Sequence, residues 1–179
     1  GLIFISLAEK VPDFSTIENS LAPFLLPFQI DTAKVASKKN YTLKANWKLV
    51  GENFREGYHC GGAHPEYCSA NLRENTDALT LDKQKEWIAK GLATELVEVT
   101  PGTTTYAIRY PLRPGFESYS LDGKKVSVPI GLHKDHDAGV VGLVNYPNFW
   151  MDAVSDYVWT MKVTPVDAAT TDVEFCWLV

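Results

Sequence analysis

The stretch YVWTMKVTP, residues 157–165, alternates with a period of two. Tyr157, Trp159, Met161 and Val163 fall on one face, and Val158, Thr160, Lys162 and Thr164 on the other. An extended strand puts every second side chain on the same side, so this is a strand with one apolar face. A polar turn and a second strand-like run, VEFCWLV at 173–179, follow it, and the two read as an antiparallel pair. TTTYAIRY (103–110) is rich in threonine and aromatic residues, GVVGLVNY (139–146) has the composition of a buried strand, and KVASKKNYTLKA (34–45) alternates loosely. FESYSLDGKKVSV carries Asp122-Gly123, a hairpin turn signal. Helix is expected near Ser15–Leu21, after Asn46, and near Leu81–Ala93. The chain is therefore α+β: a helix near residue 50 packs on an antiparallel sheet drawn mostly from the second half.

Asn46 is a helix N-cap residue, and Trp47, Val50, Phe54 and Tyr58 follow it at three- and four-residue steps, an apolar stripe for the core. Glu52, Glu56 and His59 recur at the same steps and form a second, ionisable stripe. His64 lies five residues beyond His59. At 3.6 residues per turn that separates the two rings by about 140° around a straight helix. They converge only if the backbone leaves the helix between them. Gly61-Gly62 offers that freedom, and Pro65 disfavours helix at His64.

Two imidazoles suit a divalent first-row metal. A cysteine thiolate would complete a zinc site, whereas a carboxylate would complete the two-histidine, one-carboxylate triad that leaves positions open on Fe(II). On spacing alone, a buried structural His59 beside a surface His64 is the more common arrangement. His133 and His136, with Asp135 and Asp137 in LHKDHDAG, read as a solvated loop.

The totals exclude several classes. The 179 residues suit one domain, and a net charge of −5 without clustered Lys and Arg argues against nucleic-acid binding. No apolar run approaches the roughly 20 residues that cross a bilayer, and GLIFISL at the start is too short for a secretory signal. Three cysteines with no CxxC pattern point to a reducing cytoplasm rather than a disulfide framework. The chain opens and stops in strand-like runs, so it is expected to be a piece of a longer polypeptide.

NWKLVGENFREGYHCGGAHPE, residues 46–66, resembles the mononuclear-iron motif of Rieske non-haem iron oxygenase α-subunits. Asn46-Trp47-Lys48, Glu52-Asn53-Phe54, Glu56, Tyr58-His59 and His64-Pro65 match that pattern in order and spacing. GLIFISL looks like the segment that joins the Rieske domain to the catalytic domain, and residues 146–179 look like the late strands of the latter. The resemblance implies a helix-grip (Bet v1/START-like) fold, with residues 1–179 forming an incomplete catalytic domain. It implies that His59 and His64 are ligands of a mononuclear Fe(II), and that Glu56 is the acid bridging to the 2Fe-2S cluster of a neighbouring subunit. The third ligand, an Asp, is expected beyond Val179. Asp152, Asp156, Asp167 and Asp172 do not sit in the family's ligand context.

Where the ring-hydroxylating members usually carry Asp, this chain has Glu56, within a compact ENFRE segment. That looks more like the branch acting on glycine betaine, stachydrine, choline and carnitine. Such enzymes hydroxylate a carbon next to nitrogen, which then collapses to an aldehyde and a shorter amine. The implied partners are a reductase or ferredoxin that delivers NAD(P)H electrons, a small-molecule substrate, and two further copies in a homotrimer. The family's C-x-H…C-x2-H cluster motif is absent from these residues, so the 2Fe-2S centre is expected in a missing N-terminal domain. Tyr106, Tyr110, Phe149 and Trp159 are candidates for an aromatic cage around a cationic substrate. Hydroxylation of an aromatic ring, or simple ligand binding by a non-catalytic helix-grip domain, are the competing functions.

Overall fold

The computed structural model describes residues 2–11, 13–71, 78–100, 103–133 and 138–179. Helix α1 (Ser15–Leu25) runs into a 3-10 turn at Leu26–Phe28 and is followed by β1 (Val35–Leu43). Three helices come next: α2 (Trp47–Arg55), α3 (Cys60–Ala63) and α4 (Pro65–Ala70). Helix α5 (Ala78–Ala89) leads into β2 (Glu95–Thr100) and β3 (Thr103–Tyr110). The chain closes with β4 (Val140–Asn145), β5 (Phe149–Ala153), β6 (Val158–Asp167) and β7 (Thr170–Leu178). The seven strands form one sheet in the order β1-β7-β6-β5-β4-β3-β2, with every neighbouring pair antiparallel. This is the expected α+β class, with β6 and β7 paired through Met161↔Phe175 and Trp159↔Trp177.

Alternation along the central strands gives the sheet two faces. Leu143 of β4 and Met151 and Ala153 of β5 point to one face and meet Leu21, Phe24 and Phe28 from α1 and the 3-10 turn. Their neighbours Val144 and Trp150 point to the other face, where Met161, Val163 and Val173 join them. Trp47, Val50 and Phe54 of α2 cover this second cluster, so three of the four residues in the expected stripe do face the core. Tyr58 does not. The helix ends at Arg55, and Tyr58 stands 97% exposed beyond it.

Two strands were not legible in the sequence. β5 is short and follows the Tyr146-Pro147 turn, and β2 has charge within it. The Asp122-Gly123 segment departs from expectation in the other direction: it turns but carries no strands. Gly123 adopts a left-handed φ of 74°, and the Asp122 carboxylate accepts from the Lys124 N–H at 3.1 Å. The Glu117 N–H closes the turn on the Gly123 carbonyl at 2.7 Å, and a buried side chain, not a ladder, holds other flanking groups. Asp156 is fully buried and accepts from Ser118 Oγ at 2.7 Å and from the Val126 N–H at 2.8 Å. That role accounts for Asp156. Within the predicted loop at 132–139, His133 packs its ring on Phe28 at 4.6 Å, while residues 134–137 lie outside the described residues. Among the described residues no helix is long and apolar enough to cross a membrane.

Trp150 is completely buried beneath α2, 5.5 Å from the Phe54 ring, and its indole Nε1 has no hydrogen-bond partner. Trp150→Ala should therefore destabilise the fold by about 3–5 kcal/mol in urea denaturation, the usual cost of emptying such a site. Trp150→Phe should cost far less, because it also removes a buried, unsatisfied N–H. Equal losses in the two variants would contradict this packing account.

Candidate metal centre

The site begins with the cap of α2. Asn46 Oδ1 accepts from the Lys48 N–H at 3.0 Å, as an N-cap side chain does, and its Nδ2 donates to the Ala168 carbonyl at 2.8 Å. Thr171 Oγ1 donates to the Ala45 carbonyl at 2.8 Å. The start of α2 is thus tied to the β6–β7 turn, while Phe54 in its last turn lies against Trp150 and Trp159.

The helix stops one residue before the ionisable stripe would have continued. Glu56 is its C-cap, with ψ at 118°, and Gly57 and Tyr58 turn the chain. His59 then opens α3, and His64, at φ −151° and ψ 71°, forms the joint between α3 and α4. So the break that brings the histidines together differs from the predicted one. Gly61 and Gly62 are both inside α3, and neither needs a left-handed φ. The backbone leaves the helix at 56–58 and again at His64, where Pro65 starts a new helix at the position it tolerates.

This bent path produces convergence. His59 Nε2 and His64 Nε2 are 3.1 Å apart, with the rings edge-to-face at 76°. On the far side of the His59 ring, Nδ1 lies 3.2 Å from Glu56 Oε2. The other Glu56 oxygen accepts from the Tyr58 backbone N–H. Desolvation pushes the Glu56 carboxyl upward, but the His59 ring and the N–H groups of Tyr58 and His59 outweigh it and hold Glu56 below its usual range. A carboxylate on Nδ1 selects the tautomer that leaves Nε2 as a lone pair, the arrangement that prepares an imidazole for a metal. Cys60 Sγ sits 3.9 Å from His59 Nε2, and His59, Cys60 and His64 offer ligand atoms all within 4.8 Å of one another.

The two nitrogens open onto a cavity of about 520 Å³ between the α2–α4 segment and the sheet. Asp152 of β5, only 4% exposed, and Trp159 of β6 line it from the sheet side. Arg113 lines it too, donating from Nε to the carbonyls of Cys68 at 3.1 Å and Asn71 at 3.2 Å, which pins the end of α4. Of the four aromatic residues singled out from the sequence, Trp159 alone lines this cavity; Phe149 packs on the opposite face, and Tyr110 is buried against Tyr119. Asp152, which lies outside the family's ligand context in the sequence, reaches the cavity from the sheet. Its one signal is a charge within the otherwise apolar run FWMDA. Arg113 and Tyr67 gave no local signal, because they reach the cavity only through tertiary packing.

Residues 30–179 match the family model "Ring hydroxylating alpha subunit (catalytic domain)". The chain is similar to the glycine betaine monooxygenase oxygenase subunit of Pseudomonas aeruginosa (strain UCBPP-PA14), 34% identical over 188 aligned positions that take in all of this chain and 44% of the relative. It is also similar to the carnitine monooxygenase oxygenase subunit of Acinetobacter pittii, 31% identical over 75 residues, or 39% of this chain and 19% of that one. The chain thus spans less than half the length of these relatives. A solved quaternary ammonium Rieske monooxygenase in complex with γ-butyrobetaine shares the fold, with a TM-score of 0.50 and 16% identity over 94% of this chain and 35% of that one.

The Glu56 contact yields a prediction that needs no metal. In the metal-free protein, nitrogen-15 NMR should show His59 with its proton on Nδ1, and Glu56→Gln should restore the Nε2–H form common in unconstrained histidine. An Nε2–H tautomer in the unsubstituted protein would contradict the geometry.

Proposed function

The chain belongs to the family of ring-hydroxylating α-subunit catalytic domains, and from that membership we propose that it forms the iron-bearing part of an oxygenase that hydroxylates a methylated or quaternary amine. The observation that carries this reading is the pair of Nε2 atoms 3.1 Å apart, with Glu56 on the outer nitrogen of His59, at the mouth of a cavity large enough for a small substrate. The donor set suits the group the family uses. Two neutral imidazoles would hold Fe(II), and a carboxylate from the remainder of the oxygenase subunit, an Asp beyond Val179, would complete the triad and leave a face open. Bound there, Fe(II) would supply dioxygen activation, drawing on electrons from NAD(P)H through a reductase or ferredoxin and a 2Fe-2S cluster in another domain.

The chain's own residues position the reaction. Glu56 holds the His59 ring, and its half-exposed side chain would bridge to a cluster ligand of an adjacent subunit in a homotrimer. Asp152 and the Trp159 ring give the sheet side of the cavity an acidic group and an aromatic face, which suit a cation that carries methyl groups, while Arg55 and Arg113 line it elsewhere. The names of the relatives, glycine betaine and carnitine oxygenases, support the same substrate class. A non-catalytic binding domain has no use for two converging imidazoles with an oriented tautomer.

Full-length protein with a reductase, NADH and glycine betaine should release formaldehyde and consume oxygen in equal amounts. Asp152→Asn should raise KM for the amine roughly tenfold, about 1.4 kcal/mol, with a smaller change in kcat. Turnover of naphthalene-like rings but of no methylated amine, or an unchanged KM in the variant, would count against the amine reading.

A further inference from the structure

A row of residues crosses the face of the sheet that carries the cavity: Ile108 of β3, Gly142 of β4, Asp152 of β5 and Trp159 of β6. Directly opposed residues of neighbouring strands share a face, so these four stand side by side. Gly142 leaves a notch in the row. Its φ is not in the left-handed region, and it lies within β4 among valines and a leucine, so its backbone has no need of glycine. A glycine inside a strand often marks a place where another group comes close. Here that group is the Asp152 carboxylate. A methyl carbon added at Gly142 would lie 3.1 Å from Asp152 Oδ1, against 3.5 Å from Tyr110 Cε1 and 3.8 Å from Ile108 Cγ2. We propose that Gly142 is a positioning residue: its missing side chain lets the Asp152 carboxylate sit back in the cavity wall, and so fits the cavity to a fully methylated ammonium in preference to one that still carries an N–H. The inference rests on the amine reading above and extends it to the methylation state of the head group.

The carboxylate has one direction in which to yield. Tyr110 is buried, and its hydroxyl accepts from the Tyr119 hydroxyl at 2.9 Å, so the β3 side is filled. Trp159 stands on the β6 side. The open side is the cavity, which Asp152 and Trp159 both line. A methyl group at Gly142 would therefore push Oδ1 outward into the cavity by a few tenths of an ångström.

The preference follows from how the two kinds of cation meet a carboxylate. An ammonium that keeps an N–H donates it directly, at about 2.7–2.9 Å between nitrogen and oxygen. A quaternary ammonium offers only C–H groups, whose carbons stop about 3.3–3.6 Å from the oxygen, with the nitrogen farther behind. A carboxylate set back in the wall gives the quaternary head group room and leaves the N–H of the smaller amine short of a good bond. One pushed forward reverses this. Loss of one methyl as formaldehyde turns the first kind of amine into the second, so the same notch separates substrate from product and favours product release.

The test is isothermal titration calorimetry on full-length protein with glycine betaine and with dimethylglycine, which has one methyl fewer. The unsubstituted protein should bind glycine betaine more tightly, and in Gly142→Ala that preference should fall roughly fivefold. Adding Gly142→Ala to Asp152→Ala, where no carboxylate remains to be moved, should leave the ratio of the two affinities unchanged. A preference for dimethylglycine in the unsubstituted protein, an unchanged ratio in Gly142→Ala, or the same fall in the Asp152→Ala background would overturn the role of Gly142 while leaving the amine reading in place. Binding of neither amine by the unsubstituted protein would overturn the amine reading and this inference with it. If Gly142→Ala fails to fold, Asp152→Glu decides. It brings the carboxylate forward with Gly142 intact, and an undiminished preference for glycine betaine would overturn the proposal.

Discussion

The seating of Phe54 against Trp150 and Trp159 is the contact on which the rest of the site depends. It fixes the last turn of α2 on the sheet, while the Asn46 cap fixes the first turn to the β6–β7 hairpin. With both ends held, the helix has one place to stop. The chain then bends at Glu56–Tyr58 over the cavity, and His59 and His64 are delivered from two short helices that could not hold a position on their own. Rigid packing below and a bent, mostly polar segment above is the division of labour expected where side chains must meet at a point.

Glu56 shows why the bend matters. On a continuous helix it would share a face with His59, and the contact between them would be a surface pair of small consequence. In the bent segment the carboxylate has two distinct tasks. One oxygen closes the turn on the Tyr58 backbone, and the other holds the His59 ring. The imidazole is thereby oriented before any ligand arrives, so little is lost in ordering it later. Half of the Glu56 side chain nevertheless stays exposed, which the proposed bridge to another subunit requires.

Much of the architecture was legible in the sequence because it rests on period. The alternation at 157–165 and the stripe Trp47, Val50, Phe54 are repeated signals, and each marks a face that does pack in the core. The Glu56, His59 and His64 group was legible through its resemblance to a family motif, yet the reason given for its convergence was misplaced. Gly61-Gly62 looked like the break and is helical, because the real break is set by a C-cap and by the residue before Pro65. The Asp122-Gly123 hairpin failed for a related reason: buried Asp156 captured the flanking backbone, an interaction about 30 residues away that no local pattern records. Asp152 and Trp159 reach the cavity from adjacent strands paired at Asp152↔Trp159, a register that only the folded sheet defines.

Everything proposed for the site requires that His59 and His64 hold one metal between them. The most direct measurement is mononuclear iron content, by elemental analysis after anaerobic Fe(II) loading, of the full-length protein and of its His59→Ala and His64→Ala variants. One iron per chain beyond the cluster iron, lost in both variants while the cluster spectrum is unchanged, is the result the account predicts. The same iron content in all three proteins would contradict it.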